Sequence, residues 1–77
     1  MRANPPASLN ERAQKALLAL VLAEHPALIR VEEAKKEFGR EADRAIEALV
    51  GVGLLSNVDN LVKPTRAAVH FERLESL

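Results

Sequence analysis

The sequence predicts one mainly α-helical domain that carries a single small β-hairpin in its second half. Three observations favour this fold class. Apolar residues recur at three- and four-residue steps in four stretches, glycine or proline stands near the ends of most of them, and two short apolar segments flank Asp59-Asn60. The chain has 77 residues, which suffices for one small core. We expect residues 8–77 to form that domain and residues 1–7, with two consecutive prolines, to form a flexible arm.

The first helix is predicted from Ser8 to about Glu24. Ser8 and Glu11 have the spacing of a capping box, in which each side chain satisfies a free backbone amide of the other. His25-Pro26 ends the helix, because residues before proline avoid helical dihedral angles. The apolar stripe of this helix comprises Leu9, Ala13, Ala16, Leu17, Leu20 and Val21.

A brief strand is predicted at residues 28–30, followed by a second helix from about Val31 to Phe38. Val31, Ala34 and Phe38 share its inward face. Gly39 then stops the helix, because glycine readily adopts a positive φ angle.

The third helix is expected from Arg40 or Glu41 to about Val52, and Gly53 terminates it. Its inward row comprises Ala42, Ala45, Ile46 and Leu49, with Val52 as a further candidate.

A hairpin follows, with strands at residues 54–58 and 61–63. Asp59-Asn60 suits a two-residue turn because both residue types tolerate positive φ. Pro64 closes the second strand, and Thr65 caps a fourth helix that runs to about Ser76. The apolar residues of this helix, which either cover the core or form a dimer contact, are Ala67, Val69, Phe71, Leu74 and Leu77.

This order of elements resembles the winged helix-turn-helix family. The tight break at Gly39 is expected to make the second and third helices cross steeply. The resemblance covers roughly residues 8–75, and the segments that carry it are 31–39, 42–49, 53–55 and 63–65. The family includes transcription regulators and also modules that bind only other proteins.

The resemblance implies that the third helix enters the major groove of double-stranded DNA and that the hairpin lies along the backbone or minor groove. The helix positions nearest the bases are Arg40, Glu41, Arg44, Glu47 and Ala48. The corresponding hairpin positions are Asn57, Asp59, Asn60 and Lys63. Phosphate contacts are expected from Lys35, Lys36, Lys63 and Arg66. The hairpin departs from the family pattern, because its tip, residues 58–61, carries no basic residue.

The resemblance also implies a homodimer through the terminal helices, because such helices frequently carry the dimer contact in this family. Val69 and Leu77 support this interpretation, since they lie beyond one face of the last helix.

Two interpretations of Arg40 and Arg44 remain open. Four residues apart, they share a helix face and could contact a guanine edge or a phosphate. Alternatively, they pair with Glu41 and Asp43 on a solvated surface.

The charge balance is also compatible with a second function, protein binding. Eleven basic and eleven acidic residues give no net charge, and six acidic residues lie within residues 31–50. A strongly basic domain would have indicated nucleic acid directly. The mixed charge is compatible with selective but weak DNA binding, and equally with a protein-interaction module that binds no nucleic acid.

No pattern in the sequence indicates catalysis, a metal site or a cofactor, so we expect the protein not to be an enzyme. Cysteine is absent, and neither His25 nor His70 stands at metal-ligand spacing from the other. No apolar run approaches the roughly 18 residues of a membrane span. The expected location is the cytoplasm, in the nucleoid if the domain binds DNA.

Overall fold

The structure is a computed structural model that describes residues 9–77. These residues form four α-helices and one small antiparallel sheet. The elements are α1 (Leu9–Glu24), β1 (Ile29–Arg30), α2 (Val31–Phe38), α3 (Glu41–Gly51), β2 (Leu55–Val58), β3 (Leu61–Pro64) and α4 (Arg66–Glu75). This order confirms the predicted one, with boundaries within one or two residues. The expected arm and the expected cap at Ser8 lie outside the described residues.

The sheet has the strand order β1-β3-β2, with both pairings antiparallel. Val58 pairs with Leu61, so the hairpin turn consists of two residues, Asp59 at φ 53° and Asn60 at φ 61°. Positive φ at both positions matches the twist of the flanking strands, which confirms the predicted turn. The pairing of β1 with β3 attaches the loop after α1 to the hairpin.

The core is built from small and aliphatic side chains, as expected for a chain with two phenylalanines. α1 packs against α3, and α3 also contacts α2 and β2. The buried cluster comprises Ala13, Leu17, Val21, Ile29, Val31, Ala34, Ala42, Ala45, Ile46, Leu49, Leu55 and Val62, with Phe38 and Leu54 packed against it.

Three expected core positions are wrong. Leu9 and Val52 are 72% and 71% exposed, and Ala16 is also exposed. Leu9 is the first residue of α1, and burial on this helix begins at Ala13. Val52 follows the end of α3, where the chain turns at Gly53 (φ 81°) toward the hairpin.

α4 buries only Ala68 among its residues. Phe71 and Leu74 are 62% and 53% exposed, and Ala67 is exposed as well. The interpretation that this apolar face covers the core is therefore wrong. α4 contacts α1 and β3, but Phe71 lines an open groove between α4 and α1, so this apolar face stays accessible to solvent.

Candidate nucleic-acid interface

The outward side of α3 is the surface that the sequence analysis predicts to contact DNA bases. Gly39, at φ 61°, separates α2 from Arg40, which directly precedes α3. Because the buried row of α3 faces α1, Arg44 and Glu47 on the opposite side are exposed, and Ala48 is half-buried. Arg40 is exposed too, so both predicted arginines are accessible.

The carboxylates of α3 make contacts with neighbouring helices. Asp43 Oδ1 lies 3.7 Å from Lys35 Nζ on α2. Glu41 Oε2 accepts a hydrogen bond from Asn10 Nδ2 on α1 at 3.2 Å, and Asn10 in turn accepts one from Gln14. The acidic residues of α3 thus help to hold it against α1 and α2.

These contacts leave the arginines available. Within residues 9–77, neither Arg40 nor Arg44 forms a salt bridge. The interpretation in which they pair with Glu41 and Asp43 is therefore wrong, because those two carboxylates contact Asn10 and Lys35. Lys36, next to the paired Lys35, is exposed.

The hairpin tip lies beside the start of α2. The Val31 amide donates to the Asn60 carbonyl at 2.9 Å, which ties the turn to that helix. Asn57 and Lys63 are exposed on the two hairpin strands. Lys63 lines a shallow depression, whose other lining residues are Leu28, Val58, Asp59 and Leu61.

Arg30 is a basic residue that the sequence analysis missed. It pairs with Leu61 in the sheet, is exposed, and lies with Glu32, Asp59 and Asn60 around one depression. Lys63 is two residues from Leu61, so Arg30 and Lys63 lie on the same face of the sheet. β1 therefore adds one basic side chain beside the tip, where two carboxylates also lie. Its register with β3 could not be read from the sequence.

Arg66 lies apart from this group. Together with His25, His70 and Arg73 it lines a depression of about 290 Å³ on the outer side of α4. His25, His70 and Arg73 are not among the site residues predicted from the sequence. The spacing Arg66, His70, Arg73, which places basic side chains on one helical face, was the signal that could have identified two of them.

An apolar groove of about 460 Å³ runs between α1 and α4. Leu18, Leu22 and Leu54 line it on one side and Phe71 on the other. Its charged members are Lys15 on α1 and Glu72 and Glu75 on α4.

Two further findings concern residues 9–77 only. They contain no group of three or more histidine, cysteine or acidic side chains that could hold a metal ion. No helix in this part of the chain is long and apolar enough to cross a bilayer.

Comparison of the chain with models of known protein families, with curated proteins and with solved structures finds no match.

Proposed function

We propose that the chain is a winged helix-turn-helix domain that binds double-stranded DNA, with α3 in the major groove and the β2–β3 hairpin as the wing. The observation that carries this proposal is the exposed, unpaired state of Arg40 and Arg44 on the outer side of α3. α3 follows α2 after a two-residue break and precedes a hairpin bound to β1, which is the element order of this fold.

The two arginines have the chemistry that groove recognition needs. A guanidinium donates two parallel hydrogen bonds to a guanine edge or clamps a phosphate. Arg40 also lies at the N-terminal end of α3, where backbone amides favour an anion. Lys36, Lys63 and Arg30 would contact phosphates on either side and set the position of α3 without reading the sequence.

The number of such contacts predicts weak binding by one copy. Lys35 is engaged by Asp43, so it contributes only when that pair opens. About five phosphate or base contacts remain, which gives a strongly salt-dependent and modest affinity. Two copies on adjacent half-sites would double the contacts.

The test is a titration of the isotope-labelled domain with mixed-sequence duplex DNA at low salt, followed through amide resonances. Shifts are expected at residues 40–47 and around 57–63, and they should disappear as salt is added. Arg40→Ala with Arg44→Ala should abolish them without unfolding the domain, because both side chains are exposed.

Arg12→Ala is the matched control for Arg44→Ala, and the DNA affinities of the two variants are compared. Each removes one exposed arginine, but Arg12 lies on the side of α1 away from its buried residues. Equal loss of DNA affinity in the two variants, or no shifts with the unmodified protein at low salt, contradicts the proposal.

A second candidate function is protein binding, and the α1–α4 groove favours it. Phe71 lines this groove and is largely exposed, and Leu74, on the same helix, is exposed as well. We propose a second copy of the chain as the occupant. The groove has Lys15 on its α1 side and Glu72 and Glu75 on its α4 side, so in a twofold pair each copy's lysine can face the other's glutamates.

Equilibrium sedimentation of the full chain at high micromolar concentration tests this second proposal. We expect self-association that Phe71→Ser abolishes and that Val52→Ser, which alters a similarly exposed residue at the end of α3, does not. A monomer throughout, or equal loss in both variants, contradicts it. Self-association, combined with no shift of amide resonances on addition of DNA, would favour the protein-interaction module over the DNA-binding domain.

A further inference from the structure

The depression on the outer side of α4 has a composition found at no other pocket described above. It holds about 290 Å³ between the end of α1 and α4. Its apolar members are Pro64 and Val69, which are buried and half-buried. Its other members are two arginines, Arg66 and Arg73, and the only two histidines of the chain, His25 and His70.

Every ionisable side chain that lines this depression is basic. The carboxylates nearest in sequence face elsewhere: Glu72 and Glu75 line the α1–α4 groove, and Glu24 lines a depression shared with Glu33 and Glu37. Arg66, His70 and Arg73 recur at four- and three-residue steps, so they project from one face of α4. His25 approaches them from the loop after α1.

Arg66 and Arg73 bring two positive charges to this depression in a chain whose net charge is zero. An anion bound between the two guanidinium groups would be held by both charges. The same two charges disfavour a metal cation, although two histidines are present.

We propose that His25, Arg66, His70 and Arg73 form a binding site for a phosphate group. Arginine offers a planar set of donors that matches two phosphate oxygens, and an imidazole N–H can donate to a third. Pro64 and Val69 add apolar surface to the same depression, and charge-assisted hydrogen bonds are stronger where fewer waters compete.

The site is separate from the outer side of α3. α4 packs against α1 and β3, and none of the residues on the outer side of α3 lines the depression. The proposal therefore goes beyond DNA binding by α3. Two sources supply the same chemistry, a free phosphorylated small molecule and a nucleic-acid backbone, and the experiment separates them.

The first arm uses inorganic pyrophosphate as the probe. The full chain, labelled for imidazole and amide resonances, is titrated at constant pH and ionic strength, with chloride as the matched anion. We expect the resonances of His25 and His70 to shift along a saturating curve with a dissociation constant of about 1 mM. Chloride should leave them unchanged.

Variants then locate the site. Arg66→Gln with Arg73→Gln should weaken pyrophosphate binding about tenfold or more. Arg40→Gln with Arg44→Gln removes the same charge from α3 and should leave binding unchanged. All four arginines are exposed, so folding is expected to persist; if the double variant unfolds, Arg73→Gln alone gives the same comparison.

The second arm adds duplex DNA at low salt to the Arg40→Gln, Arg44→Gln variant. Shifts at His25 and His70 would identify a nucleic-acid backbone as a source, and their absence, with pyrophosphate binding intact, would identify a free phosphorylated ligand. The proposal is overturned if pyrophosphate does not shift the resonances of either histidine, or if the shifts grow linearly without saturation. It is also overturned if both double variants lose pyrophosphate affinity equally. Failure of DNA binding by α3 does not affect this result.

Discussion

At the scale of single residues, Thr65 joins three parts of the fold. Its hydroxyl oxygen accepts from the Ala68 amide at 3.3 Å, which caps α4. The same hydroxyl donates to the Gly53 carbonyl at 2.6 Å, and the Thr65 amide donates to the Leu54 carbonyl. The cap was predicted from the sequence. The bond to Gly53 was not, because it spans twelve residues and exists only once the hairpin has brought the end of α3 next to the start of α4.

Thr65→Ala should lower the free energy of unfolding by about 1–2 kcal/mol, since it removes the cap and leaves the Gly53 carbonyl with one donor fewer. Urea unfolding measured by circular dichroism checks this. Thr65→Ser is the matched control because it keeps the hydroxyl, and it should retain most of the stability. Identical unfolding curves for the alanine and serine variants would show that the hydroxyl contributes nothing.

At the scale of elements, the contacts of α3 account for two acidic residues in a helix that is proposed to bind DNA, a polyanion. Asp43 contacts Lys35 of α2, and Glu41 contacts Asn10 of α1. These bonds orient α3 on its two neighbours while the arginines remain exposed. In the proposed DNA complex, this contact has a cost, because Asp43 holds a lysine that is predicted to contact a phosphate.

Asp43→Asn should raise the affinity for duplex DNA several-fold, because it releases Lys35 and removes a negative charge from α3. One added phosphate contact should steepen the slope of log affinity against log salt by about 0.9. Stability should change by less than about 1 kcal/mol, since the pair is exposed. Fluorescence anisotropy with a labelled duplex measures both quantities.

The control for that experiment is Glu24→Gln, which makes the same change in net charge at the exposed end of α1, outside α3 and the α1–α4 groove. It should leave DNA affinity nearly unchanged. An equal gain in both variants would mean that overall charge, and not release of Lys35, sets the affinity.

Element boundaries followed from local chemistry. Gly39, Gly53, the Asp59-Asn60 turn and Thr65 act within a few residues, so the sequence predicted where helices and strands end. The exposed face of α4 could not be predicted in this way. Periodicity shows that Phe71 and Leu74 share a side, but which side of α4 meets α1 depends on how the chain leaves β3.

At the scale of the whole molecule, folding separates charges that balance in the sequence. The eleven basic and eleven acidic residues cancel, yet one side of α4 presents only basic groups around its depression. The outer side of α3 stays mixed, and an apolar groove separates α1 from α4. Three surfaces of different chemistry thus arise on one small domain.

The salt dependence of DNA binding measures how many of these surfaces take part. If the domain binds DNA as proposed, contacts from Arg30, Lys36, Arg40, Arg44 and Lys63 predict a slope of log affinity against log salt between about −4 and −5. A slope near −1 would contradict binding through α3 and the hairpin. A steeper slope that returns to this range in Arg66→Gln with Arg73→Gln would show that the outer side of α4 also contacts the backbone.

The sequence by itself determined the order and limits of the elements and the inward residues of α2 and α3, because helix periodicity, turn residues and caps depend on neighbours in the chain. Only the tertiary structure decided that Arg30 joins the hairpin tip, that Asp43 meets Lys35, and that His25 lies among the basic residues of α4. Each of these depends on strand register or helix packing between distant segments, which local patterns do not encode.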